Sequence, residues 1–91
     1  MLLDPEGFEE IMLTSRLRRG AVVEIGCGDG RVTRRYSARV KSVIAIDPDA
    51  AAIAAFRATG VPANVDPRAI PVDQFEIPNG TVDTVLFSWS L

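Results

Sequence analysis

Two carboxylates and a cluster of glycines have the types and spacing to do chemistry in this chain. Glu24-Ile25-Gly26-Cys27-Gly28-Asp29-Gly30 sets three glycines at alternate positions. Glycines so placed let the backbone turn sharply and approach a ligand with no Cβ in the way. A helix that follows such a turn offers free N–H groups at its start. Asp47 comes about 20 residues later, at the end of a second apolar run, where a carboxylate can accept both hydroxyls of a ribose. Each feature also has a purely structural reading. The glycines can serve a tight strand-to-helix turn, and Asp47 can cap the alanine-rich helix ahead of Pro48. Asp49 competes for that cap, and both readings of Asp47 can hold together.

Glu24 lies inside an apolar run. A carboxylate buried there without a partner is costly, so a donor must meet it, and a ligand ammonium is one. Cys27 sits near a helix N-terminus, a place that can lower a thiol pKa, but packing is the reading adopted for it. Arg31, Arg34 and Arg35 share one helical face, with Arg39 and Lys41 close by. Such a face can bind RNA. Here 10 Lys and Arg are outweighed by 12 Asp and Glu, which favours a solvated helix face and no nucleic-acid partner. Dinucleotide binding is a rival reading of the glycines. Its fingerprint is G-x-G-x-x-G, whereas this loop alternates glycines and runs on into Arg31-Val32, and an acid at Glu24 has no place in it. It stands as the less favoured alternative.

The elements that must position these residues are legible as alternating strands and helices. Asp4, Pro5 and Glu6 start a helix whose apolar residues Phe8, Ile11 and Met12 recur at helical spacing, with Gly20 to end it. Ala21–Ile25 reads as a buried strand broken by the glycine loop. Arg31 to about Arg39 reads as a helix with Val32 and Tyr36 four apart. Ser42–Ile46 is a second strand, ended by Asp47-Pro48-Asp49. Ala50–Ala58 is a strong helix former anchored by Ile53 and Phe56, with Gly60 to close it. A weaker strand is expected at Ala63–Asp66, then a loop holding Pro67, Pro71 and Pro78 and a turn at Asn79-Gly80. Val82–Phe87 reads as the last strand. Such alternation implies right-handed βαβ units and a doubly wound parallel sheet of about four strands, order 3-2-1-4. Ligands bind such α/β folds outside the carboxyl ends of the strands, at the switch point, and every unusual residue group here falls at one of those ends.

Composition sets the outer bounds. The 91 residues make one domain, a helix over 1–20 and a βαβ core over 21–91, and 47% hydrophobic residues suit a globular fold. One cysteine, Cys27, forms no intrachain disulfide and builds no cysteine metal site, so no metal and a reducing, cytoplasmic setting are expected. The N-terminus lacks the pattern of a signal peptide, and no uncharged stretch reaches the ~20 residues that span a bilayer. Histidine is absent, which removes the commonest general base.

Three segments together resemble a known family. Val22–Gly30 resembles motif I of class I S-adenosylmethionine-dependent methyltransferases, acid-x-Gly-x-Gly-x-Gly. Ile44-Ala45-Ile46-Asp47-Pro48 resembles motif II, and Asn79–Val85 the segment entering the fourth strand. The nearest subgroup is the small-molecule type called methyltransferase domain 11. The resemblance implies a Rossmann-like fold and S-adenosylmethionine as cofactor. It implies that Gly26, Gly28 and Gly30, with Cys27 between them, line the methionine and ribose, and that Glu24 meets the amino group directly or through water. Asp47 would hold the ribose hydroxyls and Pro48 lie along the adenine. The acid that relatives place after strand 3 falls on Pro71, with Val72 and Asp73 next, so Asp73 takes over the adenine amino group. Phe87 and Ser88 would border the methyl-transfer site, and no catalytic residue is assigned.

The family sheet has seven strands and this chain reaches the fourth. The expectation is a cofactor-binding half that binds cofactor and turns over little alone. Its fourth strand, running on to Trp89 and Leu91, would be covered by a second copy or another polypeptide. The acceptor expected is a small molecule. A non-catalytic cofactor-binding or assembly remnant is the alternative from a different class.

Overall fold

The computed structural model describes residues 20–78 and 80–88. The helix expected over 1–20, Asn79, and the end of the chain at Trp89 and Leu91 lie outside the described residues, apart from Gly20 itself. The elements are β1 (Ala21–Ile25), α1 (Arg31–Tyr36), β2 (Ser42–Asp47), α2 (Ala50–Ala58), β3 (Val65–Ala69) and β4 (Thr84–Phe87). All strand pairs are parallel, and the sheet order is β3-β2-β1-β4. This is the Rossmann-like, doubly wound order expected, with the switch point between β1 and β4. Among the described residues no helix is long and apolar enough to cross a membrane.

Alternation along β1 assigns its side chains to two layers. Val22 joins the cluster under the helices with Val32, Tyr36, Ile53, Phe56 and Leu86, whereas Val23 and Ile25 join Ile46 on the opposite face. Phe75, from the segment after β3, packs against that second face. Glu24 shares the parity of Val22 and so points into the layer between sheet and helices, where it is fully buried.

Three boundaries differ from expectation, each for a local reason. The first helix ends at Tyr36 and passes into a 3₁₀ turn over Ser37–Arg39, where Asn64 Nδ2 donates to the carbonyls of Ser37 at 2.8 Å and Val40 at 3.1 Å. The third strand is Val65–Ala69, so Pro67 lies inside it rather than in a loop. β3 is the outer strand beside β2, and a proline is tolerated where no ladder N–H is needed. The Pro67 carbonyl accepts from Arg57 of α2 instead. The last strand starts at Thr84 because Asp83 is occupied as a clasp. Its N–H donates to the Ala21 carbonyl at 2.9 Å and its Oδ2 accepts from the Ala21 N–H at 2.8 Å.

Candidate functional site

The carboxyl ends of all four strands meet at one rim of the sheet. β1 opens into the glycine loop, β2 into Asp47-Pro48-Asp49, β3 into Ile70–Asp73, and β4 into Ser88. The loop is bound to β2, with the N–H groups of Gly26 and Cys27 both donating to the Ile46 carbonyl, at 2.8 and 3.1 Å. Gly26 and Gly28 adopt φ of 85° and 57°, backbone that side-chain-bearing residues rarely take. Gly28 also faces open space, since a Cβ there would find nothing within 4 Å. Gly30, at φ 89°, has a second reason to be glycine. A Cβ on it would stand 2.5 Å from the Phe56 ring of α2, too close for any side chain.

The two aspartates after β2 divide their duties. Asp49 is the helix cap, its Oδ1 accepting from the N–H groups of Ala51 at 3.0 Å and Ala52 at 3.2 Å. Asp47 is thereby released to the loop. Its Oδ2 accepts from the Gly28 N–H at 2.9 Å and its Oδ1 from the Asp49 N–H at 2.8 Å. One accepted bond per oxygen leaves half of a carboxylate's lone-pair sites for further donors.

Glu24 is held by three hydroxyls. Its Oε1 accepts from Thr33 Oγ1 and Tyr36 OH, each at 2.6 Å, and its Oε2 from Ser88 Oγ. Burial pushes its carboxyl above the ordinary range, and the three hydroxyls pull the other way. The donor that sequence reasoning required is thus supplied within the chain, by Tyr36, read only for helical spacing, by Thr33, not singled out, and by Ser88, expected instead at the methyl-transfer site. A signal for them existed. Thr33 and Tyr36 are three apart on a helix, hence neighbours, and that helix directly follows the buried acid. Cys27 is also buried, and its thiol is pushed up to about 12, first by burial and then by the charges of Glu24 and Asp47. It stays protonated, and the helix N-terminus does not prevail.

Two cavities flank Gly26. The larger, of about 580 Å³, is lined by Gly26, Cys27, Gly28 and Ser88, together with Asp29, Arg31 and Val32 and three alanines of α2. The smaller, of about 180 Å³, is lined by Pro48, Pro71, Val72 and Asp73 with Ile25, Gly26, Ile46 and Ile70. Of the residues expected at the site, Glu24, Gly30, Asp47 and Phe87 line neither cavity. Asp29, Arg31 and the α2 alanines were not foreseen as walls. They become so because α1 and α2 start side by side at the rim.

The basic helix face is partly structural. Arg34 donates to the carbonyls of Asp29, Phe56 and Gly60 and to Thr59 Oγ1, and its guanidinium lies 4.7 Å from the Phe56 ring centroid. It fastens α1 to the C-terminal end of α2.

A family model described as "Methyltransferase domain" matches residues 22–91. Among solved structures, the chain is similar to an S-adenosylmethionine-dependent methyltransferase from Mesorhizobium loti, with 21% identity and a TM-score of 0.72, over 88% of this chain and 37% of that one. It is similar to the protein of the DhpI-SAM-HEP complex, with 32% identity and a TM-score of 0.67, over 82% and 34%. It is also similar to the 23S rRNA methyltransferase ErmE, with 25% identity and a TM-score of 0.70, over 94% and 36%. The chain therefore spans about a third of the length of these structures, 37%, 34% and 36%. No curated protein matches it.

Proposed function

Because the chain belongs to the methyltransferase domain family, whose model covers residues 22–91, we propose that it supplies the cofactor-binding part of an enzyme that methylates a small molecule. The cofactor is S-adenosylmethionine. The observation that carries the reading is the union of glycine loop and carboxylate: Gly28, with open space above it, is fastened by its N–H to Asp47 at the switch point of the sheet.

The residues present fit such a group. The smaller cavity has largely apolar walls from Ile46, Pro48, Ile70 and Val72, suited to a flat base, with Asp73 as a polar group for its amino function. Asp47 keeps acceptor capacity for two vicinal hydroxyls. Gly26 and Gly28 give the amino-acid end a wall without side chains, and Ser88 borders the place where an acceptor would approach. When bound, the cofactor supplies a methyl group already activated on a sulfonium. What remains for the chain is to hold the reactants in line and exclude water, with reacting atoms ~3–3.5 Å apart. Neither an imidazole nor an ionised Cys27 is required for that.

A small acceptor is favoured by the likeness to the DhpI-SAM-HEP complex and by the engagement of Arg34 in fastening two helices, which takes it out of any basic surface for RNA. We infer further that β4, an outer strand among the described residues, pairs with a strand from a second copy or from another polypeptide. Calorimetric titration of S-adenosylhomocysteine, with NADH as control, tests the reading. Saturable binding of the first alone is expected, weakened about tenfold or more in Asp47→Ala. Binding of NADH alone would replace the family's cofactor with a dinucleotide. No binding of either to folded protein would leave a scaffold that has lost the site.

A further inference from the structure

We propose that Glu24 and Ser88 form a proton-linked sensor of the cofactor's ammonium group, in which Glu24 holds a proton in the ligand-free protein and releases it through Ser88 when that cation is seated. The inference rests on the methyltransferase reading of the site and adds to it a change of charge inside the fold.

Ser88 is the one described residue that both lines the larger cavity and hydrogen-bonds to Glu24. Its N–H donates to the Ile25 carbonyl at 3.0 Å, which fixes it to the end of β1. Its hydroxyl has a single proton and two acceptors within reach, Glu24 Oε2 and the Gly26 carbonyl at 3.3 Å. Glu24 Oε1 already accepts two bonds, from Thr33 and Tyr36, so Oε2 is the oxygen on which a proton can come and go.

Two arrangements of these hydrogens satisfy every group without moving a heavy atom. In one, Glu24 is ionised, Ser88 donates to Oε2, and the serine lone pairs are offered to the cavity. In the other, Oε2 carries a proton and donates to Ser88 Oγ, and the serine proton turns to the Gly26 carbonyl. Burial favours the neutral arrangement, while a cation at the cavity wall favours the ionised one. The groups facing Glu24 do not obscure this choice. Its neighbours across the sheet are Ala45 on β2 and Leu86 on β4. The Cys27 thiol and the Tyr36 phenol are both held protonated by burial first, and ionisation of Glu24 only raises them further, so neither carries a charge in either arrangement. The carboxylates of Asp29 and Asp47 bear on Cys27 from the loop and from β2.

The proton balance is simple. As the ligand ammonium docks, the carboxyl proton passes to Ser88 Oγ and the serine proton passes to water in the cavity and on to the buffer. No bond between heavy atoms changes. Ser88 is left as an acceptor facing the ammonium, with the carboxylate charge behind it.

The test is calorimetry of S-adenosylhomocysteine binding to the whole chain, in two buffers of different ionisation enthalpy, from mildly acidic to mildly basic pH. Wild type is expected to release a fraction of a proton per ligand, a fraction that shrinks as pH rises through the Glu24 titration. Glu24→Gln, which mimics the protonated arrangement, is expected to bind about tenfold or more weakly and to release none of that proton. An infrared difference spectrum needs no variant and should show loss of a protonated carboxyl band on ligand addition. Binding with no buffer dependence and no carboxyl band, or equal proton release in Glu24→Gln, would overturn the sensor and leave the methyltransferase reading standing. Failure of folded wild type to bind S-adenosylhomocysteine would overturn both.

Discussion

At the scale of single residues, Glu24 is where burial and charge oppose each other most directly. Three hydroxyls stabilise its ionised form, yet burial outweighs them and the carboxyl holds its proton above the ordinary range. The folded state then binds more protons than the unfolded chain between the ordinary carboxylate range and the raised value. Stability is full below that window and falls as pH rises through it. Urea unfolding across pH should show this decline in wild type and its absence in Glu24→Gln. Above that window the variant is expected to be the more stable of the two. A variant that keeps the slope would place its origin elsewhere. Asp47 and Asp49 show what the sequence leaves open at this scale. Both lie before a helix, and spacing alone allows either to cap it. Only the turn geometry gives the cap to Asp49 and the loop to Asp47.

At the scale of elements, the contact between α1 and α2 joins fold to site. Gly30 admits the Phe56 ring, and Arg34 lies over that ring while holding the end of α2. The alternate glycines therefore serve different ends, and two substitutions separate them. Gly30→Ala forces a Cβ to 2.5 Å from Phe56 at φ 89° and should cost about 2–4 kcal/mol in thermal or urea unfolding. Gly28→Ala meets no neighbour within 4 Å, so it should cost only about 1–2 kcal/mol of backbone strain while weakening S-adenosylhomocysteine binding. Equal losses of stability would contradict this division. The sheet order and the central elements were legible in the sequence, because the buried strands Ala21–Ile25 and Ser42–Asp47 are apolar runs bounded by glycine or Asp-Pro. β3 was less so. Its residues, Val-Asp-Pro-Arg-Ala, carry little strand signal, and it forms because an outer position asks less of the backbone and β2 offers a partner. The hydroxyl cage around Glu24 was hidden for a related reason, as it joins residues 64 positions apart that only the closed sheet brings together.

At the scale of the whole molecule, the four-stranded parallel sheet carries, among the described residues, two helices on one face and the segment after β3 on the other. On the proposed reading the cofactor lies across the carboxyl rim, from the glycine loop to the pocket after β3. Amide ¹H–¹⁵N spectra of the labelled chain, recorded while S-adenosylhomocysteine is added, test it most directly. Saturable shifts are predicted at Gly26, Gly28, Val72, Asp73 and Ser88, with little change at Asp66 and Arg68 in the body of β3. Shifts confined to positions away from the rim, or none at saturating ligand, would contradict it.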